Sequence, residues 1–369
     1  MNKRRVDTLP RGRHFAGMRA LATSTLFLSF VGLVAAAEPE PLVKVDSFHL
    51  KTERYGAAAV AAGDYVYIIA GANRSGLVSD IERLDTRTGE IQVVTTKVKP
   101  RRYHGAAVID GKIFIVGGQA ANVFNSTVNE GEATARQGGA LKSVLTPRST
   151  EAAEDYLNTP LEEASFEPSL EIFDIATGQI SFGAPPPTPR ISAAVTALGG
   201  RLFLVGGVRL AGHAAAQINL NEVYDAASDR WAPGAPMPTP REANAVVVGD
   251  FVMIPGGRLH RASVAKVEFF IPAQNSWMTL PELSKPMGAG SVAFLGNHLF
   301  LFGCFGAESQ VLAYDLRARK SRVIKPDFKP ARHTAAVVSG DRIYVVGGNV
   351  NPEGDALTDI QVFAHSESK

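Results

Sequence analysis

The chain has 369 residues, 45% of them hydrophobic but only 8% aromatic, and a formal net charge of +2. That length supports a large core, built mainly from small aliphatic side chains; 35 glycines and 22 prolines break any long helical reading and suit many short strands joined by tight turns. Beyond residue 37 no run of Lys and Arg is dense enough for a nucleic-acid-binding face, so no nucleic-acid partner is expected.

Residues 1–37 read as an export leader. Lys3, Arg4, Arg5, Arg11, Arg13 and Arg19 precede the apolar run Ala20 to Val34, and Ala35-Ala36-Ala37 offers a small-residue cleavage site before Glu38-Pro39. Uncleaved, the same run is a membrane anchor, the one route by which a membrane partner is expected; Met18 is an alternative start. Six basic residues and one acid leave with the leader, so the net charge of +2 becomes −3 for residues 38–369. The expected location is periplasmic or secreted.

From Val43 onward one pattern recurs six times: an Arg, a strand of small residues, a Gly turn, an apolar strand ending in a diglycine, and a strand ending in aromatic-Asp. The leading residues are Arg54, Arg102, Arg190, Arg241, Met287 and Arg332, spaced by 48, 88, 51, 46 and 45. The period is therefore near 47, with one insertion in the second copy at about residues 119–168. The small strands, such as Gly56-Ala57-Ala58-Ala59-Val60 and Thr334-Ala335-Ala336-Val337, suit innermost positions crowded around a common axis. The turns Gly63-Asp64, Asp110-Gly111, Gly199-Gly200, Gly249-Asp250, Gly296-Asn297 and Gly340-Asp341 supply residues that tolerate positive φ. The diglycines are Gly117-Gly118, Gly206-Gly207, Gly256-Gly257 and Gly347-Gly348, with Ala70-Gly71 and Gly303-Cys304 as degenerate versions. Third strands end at Leu84-Asp85, Phe173-Asp174, Tyr224-Asp225, Phe270-Ile271, Tyr314-Asp315 and Phe363-Ala364.

With these markers in place the chain resembles the kelch-repeat family over residues 41 to 364. That resemblance implies an all-β fold, a six-bladed β-propeller with four strands per blade. The last copy stops after its third strand at Gln361-Val362-Phe363, and Val43 to Leu50 is expected to supply the missing outer strand, closing the sixth blade from the N-terminus.

In proteins of this kind the segments before the first strand and after the diglycine share one face. Candidate ligand-binding residues are thus Arg54, Arg102, Arg190, Arg241 and Arg332, with Asn73, Gln119, Arg209, Arg258 and Asn349. A ring of guanidinium groups suits a carboxylate or sulfate, because each planar fork gives two charge-assisted hydrogen bonds. The same arginines can instead pair within the blades with Glu82, Glu171, Glu222 and Glu268. His104 and His333 are read as equivalent in two blades and as too few ligands for a metal; no metal and no cofactor is expected. Cys304, the single cysteine, lies between apolar neighbours and reads as a buried structural thiol.

Within the insertion, Ser149 to Leu157 reads as a short capped helix that could bring Glu151, Glu154 or Asp155 over the channel mouth. The reading that follows is an exported binding module for a glycan or protein ligand. The alternative is a mutarotase: an exported six-bladed kelch protein with a long acidic insertion is similar to the sialic-acid mutarotase (N-acetylneuraminate epimerase) family. That family's acid after a glycine turn is missing at Gly206-Gly207-Val208-Arg209, and catalytic residues are not assigned.

Overall fold

The computed structural model describes residues 41–120, 166–211, 214–260, 262–350 and 355–366. The leader and the helix expected at Ser149 to Leu157 lie outside the described residues.

Six antiparallel four-stranded sheets follow one another as the blades of a propeller. The innermost strands are Ala58–Ala62, Gly105–Ile109, Ala194–Leu198, Val246–Val248, Ser291–Leu295 and Ala335–Ser339. Crowding explains their small side chains: a Cβ on Gly105 would stand 2.2 Å from Cγ2 of Val195 in the next blade. Each inner strand hairpins into a second strand of five residues, buried at its last four positions, as in Lys112–Val116 and Arg342–Val346. The first residue of each turn, Gly63, Asp110, Gly199, Gly249, Gly296 and Gly340, has positive φ.

Third strands of blades one, two, three and five end at the aspartates the sequence marks, because the aspartate turns the chain, while that of blade six runs one residue past Ala364 to His365. Asp85 Oδ1 accepts from the N–H groups of Arg87 and Thr88, and Asp315 Oδ1 from those of Arg317 and Ala318. Blade four, with Ile271 in place of the aspartate, makes the turn through the 3-10 segment Pro272–Gln274. Outer strands are stitched to the preceding blade where tryptophan is kept: Trp231 Nε1 donates to Ala184 O at 2.8 Å and Trp277 Nε1 to Ala235 O at 2.7 Å.

The core lies between blades. Phe300 and Phe302 of blade five pack with Ile343, Val345 and Phe363 of blade six, and comparable clusters join other neighbouring blades. Cys304 is buried, its Sγ accepting the Gly288 N–H at 3.4 Å.

The sixth sheet is composite, as the sequence pattern implied. Its inner, second and third strands are Ala335–Ser339, Arg342–Val346 and Leu357–His365, and the outer place is filled by Leu42–Arg54. The pairing runs antiparallel from Leu42 opposite His365 to Arg54 opposite Leu357, with irregularities after Lys44 and His49. Both ends of the ring are thereby held in one sheet.

Candidate functional site

Each blade begins at a residue whose carbonyl accepts a hydrogen bond from the second glycine, or its equivalent, of the preceding blade. Gly348 N–H donates to Arg54 O, Gly71 to Arg101 O, Gly118 to Arg190 O, Gly207 to Arg241 O and Gly257 to Met287 O. The motif position in blade two is therefore Arg101, not Arg102. In blade six it is Ala331, since a Cβ on Gly303 would meet Ala331 O just as one on Gly117 would meet Arg190 O. The sequence register at Arg102 and Arg332 is off by one.

This shift separates the predicted arginines into two groups. Arg54, Arg101, Arg190 and Arg241 are buried and paired with Glu82, Glu171, Glu222 and Glu268 respectively. Each also donates to carbonyls around it; Arg241, for instance, reaches Gly256 O at 2.7 Å and Ile254 O at 2.9 Å. Arg54, Arg190 and Arg241, expected as ligand-binding candidates, thus take the blade-internal alternative. Their guanidinium groups tie the glycine turn to the third strand and have no surface left for a ligand. Asn73 is likewise occupied, its Nδ2 donating to Glu53 O and its Oδ1 accepting from Ser75 N–H. Arg209 is exposed on the strand Val208–Ala211, which pairs with Ala214–Gln217.

The second group stands at the channel mouth. Two positions after the motif residue stand Gly56, Tyr103, Ser192, Ala243, Ala289 and His333, whose backbones are linked in series from Ala289 through His333, Gly56, Tyr103 and Ser192 to Ala243. Gly56 N–H donates to His333 O, Tyr103 to Gly56 O, Ser192 to Tyr103 O, Ala243 to Ser192 O and His333 to Ala289 O. Tyr103, Ser192, Ala289 and His333 hold left-handed φ between 52° and 60°, a strained conformation for these residues that the ring imposes. The equivalence of His104 and His333 is likewise corrected. His333 shares its ring position with Tyr103, and His104 aligns with Thr334, each the residue just before its inner strand.

Around this ring the side chains form one aromatic and cationic cluster. Tyr103 meets His333 edge-on at 5.1 Å between centroids, with Tyr55 at 6.2 Å from both. Arg102 lies 4.7 Å from the Tyr103 centroid and 5.5 Å from that of Tyr55, donates to the Tyr55 hydroxyl, and through Nε donates to Gln119 Oε1 at 2.8 Å. Arg258 and Arg332 both lie against Phe305, at 4.6 and 4.2 Å from its centroid. Arg332 Nη1 is 3.9 Å from Glu308 Oε1, and His333 Nδ1 is 3.0 Å from Asn349 Oδ1. Of the candidates read from sequence, Arg102, Gln119, Arg258, Arg332 and Asn349 are brought together here. Tyr55, Tyr103, Phe305 and Glu242 were missed; the signal available for three of them was their place one or two residues after a motif position.

Burial first, and then the charges of Arg332, Arg258 and Arg102, lower the His333 pKa to about 3; burial lowers that of His104 to about 3 as well. Both rings are neutral when folded and take up protons on unfolding, so their contribution to stability is complete above the ordinary value of 6.5 and is lost as pH falls from there toward 3. His333→Asn is expected to flatten acid unfolding over that window in a circular-dichroism titration; an unchanged profile would show that the ring titrates normally. Burial pushes the Glu242 carboxyl above its ordinary range, against the pull of nearby Arg258. Among the described residues no three His, Cys, Asp or Glu side chains converge as metal ligands. Chemically the mouth offers cations, aromatic faces and neutral polar groups, the elements of recognition.

Gln119 pairs with Arg102 and bridges Phe166, which places these two residues flanking the insertion beside this cluster.

A family model of the Kelch motif matches residues 53–90 and 100–129. The chain is 22% identical to Beta-scruin of Limulus polyphemus and 24% identical to Kelch-like protein terF of Aspergillus terreus, each match covering 73% of this chain and 27% and 53% of those proteins. It is 27% identical to Kelch-like protein 25 of Xenopus tropicalis over 48% of this chain and 32% of that one. The matched regions are thus about a quarter to a half of these relatives' lengths. With six copies of one four-stranded unit closed through a composite sheet, and the Kelch motif matched in its first two, the chain is a six-bladed β-propeller similar to the kelch-repeat proteins.

Proposed function

We propose that this chain is a recognition module that takes a segment of a partner protein at its channel mouth, and that residues 1–37 direct it out of the cytoplasm. Kelch propellers are typically protein-binding modules. The observation that carries the placement is the joining of Tyr55, Tyr103, Phe305 and three arginines from different blades around one backbone ring. Aromatic rings and arginines together are the side chains that dominate binding energy at protein interfaces. They stand on short, hydrogen-bonded turns at the ends of rigid strands, which suits presentation of a fixed surface.

The test is photo-crosslinking from two positions. A benzoylphenylalanine in place of Tyr103 is expected to capture a defined partner in cells that express the full chain, whereas the same residue in place of Met278, exposed on the outer strand Ser276–Leu280, captures none. Capture from Met278 alone would move the interface to the rim and overturn the proposal.

A further inference from the structure

Arg258 differs from every motif arginine in the molecule. It is 5% exposed, yet its Nε and Nη2 have no hydrogen-bond partner, while Arg54, Arg101, Arg190 and Arg241 each meet a carboxylate and backbone carbonyls. The stem of Arg258 is also given room by a missing side chain. A Cβ on Gly288, the first residue after the blade-five motif position, would stand 2.5 Å from Arg258 Cγ. Gly288 does not have positive φ, so the clearance concerns space and not backbone conformation. Arg332, 2% exposed, lies against the same Phe305 ring, and Arg102, 4% exposed, is near enough that all three charges depress protonation of His333. Arg332 has Glu308 Oε1 at 3.9 Å and Arg102 has Gln119 and the Tyr55 hydroxyl, whereas the buried Nε and Nη2 of Arg258 are left for an entering anion to satisfy.

We propose that Arg258, with Arg332 against the same Phe305 ring, forms a buried oxyanion site that takes the carboxylate of an acidic side chain carried by the bound segment. This rests on the channel-mouth reading above. A planar carboxylate matches the two unpartnered N–H groups of one guanidinium fork. The faces of Tyr55, Tyr103 and Phe305 suit the apolar part of the segment. Glu242 is the internal competitor: it bridges to Arg258 through the backbone, and its carboxyl, with Gln217 and Ser192 as neighbours, is attracted by the Arg258 charge. An entering carboxylate competes with the Glu242 carboxyl for Arg258, so replacing that carboxyl by an amide strengthens binding.

The experiment is a titration of the full chain with N-acetyl-Gly-Glu-Gly-amide, its glutamine counterpart, acetate and sulfate, following the Arg258 side-chain N–H resonance at constant ionic strength. The glutamate peptide is expected to shift that resonance, with sulfate competing, and the glutamine peptide to leave it unmoved. Gly288→Ala is expected to weaken the response by about 10- to 100-fold, as loss of a charge-assisted pair does, and Glu242→Gln to strengthen it, while Arg258→Gln, read by thermal melting, is expected to lose the stabilisation that the glutamate peptide gives the unmodified chain. Equal responses to both peptides, or weaker binding in Glu242→Gln, would overturn the proposal. A response to acetate and sulfate without one to the glutamate peptide would also overturn it, leaving a site for free small anions. Crosslinking from Tyr103 in the Arg258→Gln chain separates the two readings: partner capture that persists with no anion response removes the oxyanion site alone, and loss of capture from Tyr103 in the unmodified chain removes the channel-mouth reading.

Discussion

Replacing Arg241 by alanine is expected to destabilise the propeller by about 3–5 kcal/mol, the cost of leaving a buried carboxylate without its partner. Glu268 would keep Thr239 Oγ1 as a donor but lose the Arg241 Nη1 at 2.5 Å, and the carbonyls of Gly256 and Ile254 would lose theirs. In a thermal melt this should appear as a fall on the order of 5–10 °C. The double change Arg241→Met with Glu268→Leu is expected to cost less than Arg241→Ala, because two apolar groups of similar size leave no charge behind. Arg209→Ala, at an exposed site, should stay within about 0.5 kcal/mol of the original. A double change that costs more than the single one would show that the pair contributes net stability beyond its own desolvation.

The second large effect is expected at the closure. Leu42 and Leu50 are the buried leucines of the strand that completes blade six; Leu50 packs with Val66, Ile68, Tyr344 and Val346, and Leu42 with Phe328 and Phe363. Each Leu→Ala change in such a core costs about 2–5 kcal/mol, so the pair together removes a large share of the 5–15 kcal/mol that holds a typical domain folded. Loss should show first as hydrogen exchange in Leu42–Arg54 and Leu357–His365, the two strands whose pairing seals the ring. Val45→Ala, at a position 44% exposed on the same strand, is the control and should change little. Melting unaffected by the double leucine change would mean that the ring holds without this strand.

The fold was legible because its determinants are local and repeated. Turn glycines, small inner strands and aspartate-ended third strands recur at one period, and the short sixth copy declares its missing strand. The mouth was harder to read. Adjacent arginines at 101 and 102, and Ala331 before Arg332, hide the true register, which is set by carbonyls accepting from the preceding blade and not by the arginine itself. Arg54 looks in sequence like Arg332, yet one is spent on an ion pair inside a blade and the other stands against Phe305. Phe305 and Gly288 belong to the degenerate fifth copy, where departures from the repeat gave no indication of what they face. Only the closed ring brings them to Arg258, whose blade is separate in sequence from all its cationic neighbours.

The most direct measurement sets Arg258→Gln beside Arg241→Ala, each melted with and without sulfate at constant ionic strength. Opposite behaviour is expected of the two variants. Arg258→Gln keeps or raises the melting temperature, since it removes an unsatisfied buried charge from among like charges, and loses the stabilisation by sulfate. Arg241→Ala melts several degrees lower and keeps that stabilisation. If Arg258→Gln unfolded the protein while Arg241→Ala abolished the sulfate response, the division of the arginines into blade-holding and ligand-facing groups would be contradicted.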